Sequence, residues 1–193
     1  MFSEKNRLLG QIITSIQKMS ATNIERLCGA ANFKKMEKGD ILVHQSCEDH
    51  FEYFLLKGKC RNLIRDADGR EVTLGFASGL GVLTPNIART REGNSLVEIE
   101  MLGASEIALI NSNKLMELMV EDEEIRDWGN TVMRQDLQRM MAKEWSLAAL
   151  SAKEKLEWFR SDFPEGEATF PHIHIASYLG ITPVTLSRVR ARA

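Results

Sequence analysis

Near the end of the chain, Val184, Thr185, Ser187, Arg188 and Arg190 bring together side chains that can read polar and apolar edges. A guanidinium such as that of Arg188 is a fork that fits guanine O6 and N7. Short hydroxyls such as Thr185 and Ser187 reach a base edge or a phosphate, and a valine methyl such as that of Val184 meets a thymine methyl. Thr182 opens the same stretch, and Arg190 and Arg192 follow it. From Ala168 to Ala193 there are three arginines and no acidic side chain. With the whole chain at −2, the remainder therefore carries −5. A basic helix face on an acidic protein is the electrostatic pattern of a helix that meets a polyanion.

Such a face must be held by elements, and the sequence from His172 to Arg190 predicts two helices joined by a tight turn. Ile175, Leu179, Ile181, Leu186 and Val189 stand at core spacing, and small Ala176 sits where two steeply crossing helices must touch. Gly180 can take the positive φ that stops the first helix. Thr182 supplies an N-cap oxygen, and Pro183 is preorganised for the first helical position. The bland alternative is an αα-hairpin that packs against something else.

Upstream, residues 1–31 read as helical, with Leu8, Leu9, Ile12, Ile13 and Ile16 at helical spacing and Thr22 with Glu25 as a capping box before Ile24 and Leu27. From about Phe33 to Ile110 the pattern changes to short β-type runs at Ile41–Val43, Phe51–Leu56, Arg61–Arg65, Glu71–Phe76, Ser95–Met101 and Glu106–Ile110. Turn signals at Lys38-Gly39-Asp40, Lys57-Gly58-Lys59 and Asp66-Ala67-Asp68-Gly69 separate several of them. No long helix intervenes, which predicts a sandwich or barrel. A short helix around Lys114–Val120 then leads into a long one over Glu123–Ala149.

That long helix carries Ile125, Trp128 and Val132, then Met133, Leu137, Met140 and Leu147 displaced by one position. It reads either as a core helix packed on the barrel or as a dimer helix whose seam, Ile125, Trp128, Val132, Met133, Leu137 and Met140, faces a second copy. Glu144 interrupts the seam, so periodicity leaves both readings open. Ser151 and Glu154 form a second capping box, and Asp162–Glu167 reads as a turn or short hairpin.

Composition limits the function classes. The chain has 193 residues, 44% of them apolar, enough for a packed core in one or two domains. The uncharged stretch Leu74–Ala88 is broken by Gly75, Gly79, Gly81 and Pro85, so no spanning helix is expected. The opening MFSEKNRLLG has charges where a signal peptide needs an apolar stretch, which predicts a cytoplasmic protein. Cys28, Cys47 and Cys60 are odd in number and widely spaced, fitting reduced thiols rather than disulfides or a cluster site. His44, His50 and Glu52 match a metal-binding cupin poorly, and His172 and His174 fall on different helix faces, so no metal is expected. Glu121-Asp122-Glu123-Glu124 reads as a solvated first helical turn. No catalytic set, Walker loop or paired-carboxylate motif is present; no enzyme and no cofactor are indicated.

The string Ile175-Ala176-Ser177-Tyr178-Leu179-Gly180-Ile181-Thr182-Pro183-Val184-Thr185-Leu186-Ser187-Arg188 resembles the DNA-reading motif of the catabolite-activator/FNR (CRP/FNR) family of bacterial transcription regulators. The stretch from Lys38-Gly39-Asp40 through Tyr53-Phe54-Leu55-Leu56-Lys57-Gly58 to Asp68-Gly69-Arg70-Glu71 is similar to the opening strands of that family's cyclic-nucleotide-binding jelly roll. The resemblance runs from about residue 33 to the end. It implies a homodimer joined along the long helix, double-stranded DNA with a two-fold-related site as partner, an unidentified small-molecule effector, and contact with RNA polymerase.

Departures from the family pattern sharpen this. Relatives that bind cyclic AMP carry a Gly-Glu pair and an Arg-Ser or Arg-Thr pair. Here Gly79-Leu80-Gly81-Val82-Leu83-Thr84 offers no acid for a ribose hydroxyl, and Gly93-Asn94-Ser95 has no adjacent arginine. Arg89, Arg91 and Ser95 remain as ligand-binding candidates. A cyclic phosphate without its arginine loses about 1.5–3 kcal/mol, so tight cyclic-AMP binding is not expected. Pro183-Val184 replaces the Arg-Glu that opens the family's reader helix, whereas Arg188 matches, so the target sequence should differ. Five residues follow Arg188, and phosphate clamping is expected from elsewhere or affinity is modest.

The expectation is an α+β chain. Residues 1–120 form an antiparallel β jelly-roll effector domain of cyclic-nucleotide-binding type, 121–149 a long connecting dimer helix, and 150–193 a helix-turn-helix domain. The function expected is DNA-binding transcription regulation. The alternative is an effector-binding or interaction protein whose helix-turn-helix contacts protein instead.

Overall fold

A computed structural model describes residues 3–191. Arg192, expected beside Arg190, lies outside the described residues. Two helices open the chain, α1 (Glu4–Ile16) and α2 (Ala21–Gly29). The strands are β1 (Ala31–Met36), β2 (Ile41–Val43), β3 (Phe51–Lys57), β4 (Lys59–Arg65), β5 (Glu71–Ser78) and β6 (Gly81–Val82). After the single turn α3 (Asn86–Arg89) come β7 (Thr90–Arg91), β8 (Asn94–Ser95), β9 (Glu98–Met101) and β10 (Ser105–Asn111). Helices α4 (Ser112–Glu121), α5 (Glu123–Ala149), α6 (Ala152–Asp162), α7 (Gly166–Thr169), α8 (His172–Tyr178) and α9 (Pro183–Ala191) complete it.

The chain divides into two compact units, neither of them contiguous. The first comprises the chain up to Asn62 with Phe76–Asp136, and the second Leu63–Gly75 with the chain from Leu137 on. The division falls inside α5, between Asp136 and Leu137.

Four-stranded sheets of order β1-β10-β3-β6 and β2-β9-β4-β5 make the jelly roll, the first of them wholly within the first unit. Strand β10 pairs antiparallel with both β1 and β3. Successive side chains of a strand point to opposite faces, and β3 uses both faces. Tyr53 and Leu55 join Ile99, Met101 and Ile107 in one core, while Phe54 and Leu56 join a second core with α1, α2, α4 and the start of α5. That is why β3 reads as a continuous apolar run and not as an alternation. Between β3 and β4, Gly58 has φ +101, and a Cβ there would lie 2.7 Å from Ser105 Cα, so only glycine fits this corner.

Several expectations are corrected. The cap of α2 is Ser20, whose side chain accepts from the Asn23 amide, not Thr22 with Glu25. Strand β1 was not anticipated; Lys34 and Lys35 interrupt its pattern, as is common on an edge strand. The run expected as one strand over Ser95–Met101 is two, β8 and β9, separated by a turn in which Ser95 Oγ donates to Val97 O. The acidic run is exposed or half-exposed, with Glu123 and Glu124 in the first turn of α5, and three of its four residues also have partners. Glu124 accepts from the Ser20 amide (2.8 Å) and hydroxyl (2.6 Å), Asn23 Nδ2 donates to Asp122 (2.9 Å) and Glu124 (2.7 Å), and Arg26 pairs with Glu121 (2.6 Å). These contacts clasp the start of α2 to the start of α5.

In the second unit the capping box Ser151/Glu154 opens α6 as expected. An aromatic cluster of Phe159, Phe163, Phe170 and Tyr178 fills the space beneath α8. The stretch Asp162–Glu167 turns into the short α7 and forms no hairpin.

Candidate nucleic-acid interface

Helix α8 buries Ile175, Ala176 and Tyr178, with Leu179 just beyond them, and ends in a Schellman motif. The Ile181 amide donates to Ala176 O (3.0 Å) and the Gly180 amide to Ser177 O (3.1 Å). Gly180 sits at φ +62, where an added Cβ would come within 3.2 Å of Leu147 Cδ2. Two residues later Thr182 Oγ1 accepts from the Thr185 amide (3.1 Å) and caps α9, with Pro183 as its first residue. Leu186 is the anchor of α9, 2% exposed, and the helix packs on α6 and α8. Turn, cap and anchor together fix which side of α9 faces outward.

That side carries Val184 (60% exposed), Ser187 and Arg188, all exposed, with Thr185 half-buried. Arg188 makes no ion pair among the described residues. Arg190 is also exposed but engaged: its Nε donates to Glu167 (2.6 Å), which also accepts from Arg160 (2.6 Å), and its Nη1 lies 3.2 Å from His172 Nδ1. Partial burial pushes the Glu167 carboxyl up, but hydrogen bonds and charge from Arg160 and Arg190 hold it below its usual range. The Thr182 and Thr185 hydroxyls already bond each other at 2.9 Å. Of the expected contacts, Val184, Ser187 and Arg188 stand ready, while Thr182, Thr185 and Arg190 have work inside the fold.

Sequence reasoning missed what holds α8 from the side. Ser177 Oγ accepts from the Thr73 amide (2.9 Å) in the β4–β5 hairpin. Lys143 Nζ donates to Thr73 O (3.3 Å) and Leu74 O (2.6 Å) and lies 4.1 Å from the Tyr178 ring centroid. Burial depresses the Lys143 amine to about 8. No local pattern links Thr73 to Ser177, so no sequence signal could have found this pairing.

The chain matches no family model and no curated protein. Solved structures do match. FixK2 from Bradyrhizobium japonicum superposes with TM-score 0.74 at 18% identity, covering 84% of this chain and 83% of that one. The c-di-GMP-responsive regulator CLP from Xanthomonas campestris gives 0.71 at 15% identity, covering 90% and 91%. A candidate CRP/FNR-family regulator from Eubacterium rectale gives 0.66 at 16%, covering 90% and 83%. The chain has the CRP/FNR fold.

Within that CRP/FNR fold, the ligand-binding candidates do not form an open site. Arg89 is 1% exposed: its Nε donates to Asp49 (2.8 Å), Nη1 to Thr84 O and Nη2 to Phe51 O, and the guanidinium lies 4.8 Å from the Tyr53 ring centroid. Asp49 also accepts from Tyr53 Oη (3.1 Å), and burial followed by the Asp49 charge pushes the Tyr53 hydroxyl up from its usual range. Ser95 is 1% exposed, so both it and Arg89 lie in the interior. Arg91 is exposed on β7.

The six expected seam residues fall into two groups of three. Ile125 (0% exposed), Trp128 (2%) and Val132 (9%) belong to the first unit's core, where Trp128 Nε1 donates to Ile13 O and the indole stacks on Phe54. Met133, Leu137 and Met140 are 42%, 61% and 53% exposed, and Met141 and Trp145, missed from sequence, extend that strip. No helix among the described residues is long and apolar enough to cross a membrane, and no group of potential ligands gathers to hold a metal.

Proposed function

We propose that the chain is a cytoplasmic, DNA-binding transcription regulator that reads a two-fold-related site as a homodimer and does not bind cyclic AMP tightly. The observation that carries this is α9: a short helix fixed by a Schellman turn and a threonine cap, presenting Val184, Ser187 and an unpaired Arg188 on its open side. The apolar strip from Met133 to Trp145 supplies the surface for a second copy along α5, and two reader helices would then need to lie about 34 Å apart to meet successive major grooves. Arg89, 1% exposed and already bonded to Asp49 and two backbone carbonyls, is not presented to a cyclic phosphate. RNA polymerase is a further partner in this reading.

The test is a gel shift on genomic fragments selected by the purified protein. Arg188→Ala weakens specific binding by about 1–3 kcal/mol and leaves oligomeric state unchanged. Affinity falls steeply as salt rises from about 50 to 200 mM. Unchanged affinity of the variant overturns the base-reading role, and binding that ignores salt favours a protein partner for α9.

A further inference from the structure

Phe54 leaves β3 on the face opposite Tyr53 and Leu55, away from the filled barrel interior, and there it borders a cavity of about 320 Å³. The volume lies at the lower end of small-molecule sites. Its deep wall is Phe54, Trp128 and Val132, all buried, and its mouth is Ile87 (64% exposed), Met116 (55%) and Met133 (42%). The lining is mostly apolar, with Asn86, Thr90, Ser112 and Asn113 among its polar residues and Glu52 as its one carboxylate. Glu52 is 15% exposed; its Oε2 accepts from the Asn86 amide (2.9 Å) and lies 3.9 Å from Arg89 Nη1, while Oε1 accepts nothing among the described residues.

We infer that this cavity is a binding site for a small aromatic molecule, uncharged and carrying one N–H or O–H donor, which packs on Phe54 and Trp128 and donates to Glu52. The charges around it select this class. The Arg89 cation is already neutralised by Asp49 at 2.8 Å, so the cavity meets Glu52 with no free positive charge beside it. A ligand carboxylate or phosphate would have to be desolvated next to a second carboxylate. Burial also pushes the Glu52 carboxyl up, with the Asn86 amide and Arg89 pulling it down. Whichever proton state it holds, a carboxyl oxygen without a donor in an apolar cavity is a hydrogen-bond acceptor that a ligand can satisfy. Thioether side chains at the mouth adapt to ring shape. The site lies on the outer face of sheet β1-β10-β3-β6, and its occupancy does not depend on the role of α9.

The experiment uses the full chain with isotope-labelled methionine methyls and three probes of nearly one shape: indole, N-methylindole and indole-3-acetate. Indole is expected to shift the Met116, Met119 and Met133 methyls at concentrations of about 1 mM or below. N-methylindole, which lacks the donor, binds about tenfold more weakly, and indole-3-acetate more weakly still. Met116→Trp, at an exposed mouth position, abolishes the shifts without lowering the unfolding temperature. Glu52→Gln narrows the gap between indole and N-methylindole. No shift with indole overturns the site. Equal affinity for indole and N-methylindole removes the role of Glu52, and tighter binding of indole-3-acetate overturns the charge selection.

Discussion

The two ends of α5 are one continuous helix in opposite circumstances. At its start, Ile125, Trp128 and Val132 are enclosed by α1, α2, α4 and β3. Past Met133, the apolar residues Leu137, Met140, Met141 and Trp145 face outward at 53–61% exposure. The sequence shows one seam with a one-residue slip; the structure shows two stripes, one packed in the first unit's core and one exposed. A slip of one position turns the apolar stripe by about 100° around a helix, enough to move it from the interior to open water. The general lesson is that a change of phase in an amphipathic helix can mark a change of partner.

That contrast is broken most severely at its inner end. Trp128→Ala should cost about 3–5 kcal/mol of stability, since it empties a fully enclosed site and leaves Ile13 O without its donor; urea denaturation measures this, and a loss under about 1 kcal/mol would mean the helix start is not core. At the outer end, Leu137→Glu with Met140→Glu should leave unfolding of the isolated chain within about 0.5 kcal/mol, as for ordinary surface changes. The same pair should convert a dimer to monomer in sedimentation experiments, and persistence of the dimer would assign the seam elsewhere. A pH-dependent effect concerns Lys143, also on the outer half. Its amine sits near 8 when folded and at 10.5 ordinarily. Between those values the unfolded chain holds more protons, so stability of the second unit rises as pH climbs from about 8 to 10.5. Lys143→Met should flatten that rise, and a fall in stability over the same range would contradict the burial of the amine.

Much of the fold was legible because it is written locally. Gly180, Thr182 and Pro183 encode a turn, a cap and a first helical position within four residues, and the structure has all three. Ser151 and Glu154 likewise name their own helix. What stayed hidden depends on distant pairs. Nothing near Arg89 announces that Asp49, forty residues away, would neutralise it, and nothing near Ser20 announces Glu124. A basic side chain beside a glycine-rich cassette has the same local sequence whether it faces a ligand or a carboxylate of its own chain. The open face of α9 was readable for the opposite reason: residues with no internal partner keep the outward assignment that helical periodicity gives them.

The three cysteines have a practical consequence. Burial pushes the Cys60 thiol up to about 12 and raises that of Cys28 as well, whereas Cys47 is exposed between β2 and β3. Only thiolates alkylate at useful rates, so the native sequence already contains a single addressable attachment point. A maleimide dye or spin label should modify the folded protein once, at Cys47, with no engineered mutation. In a two-fold assembly, that one label per chain becomes a ready-made pair for measuring how far apart the copies stand.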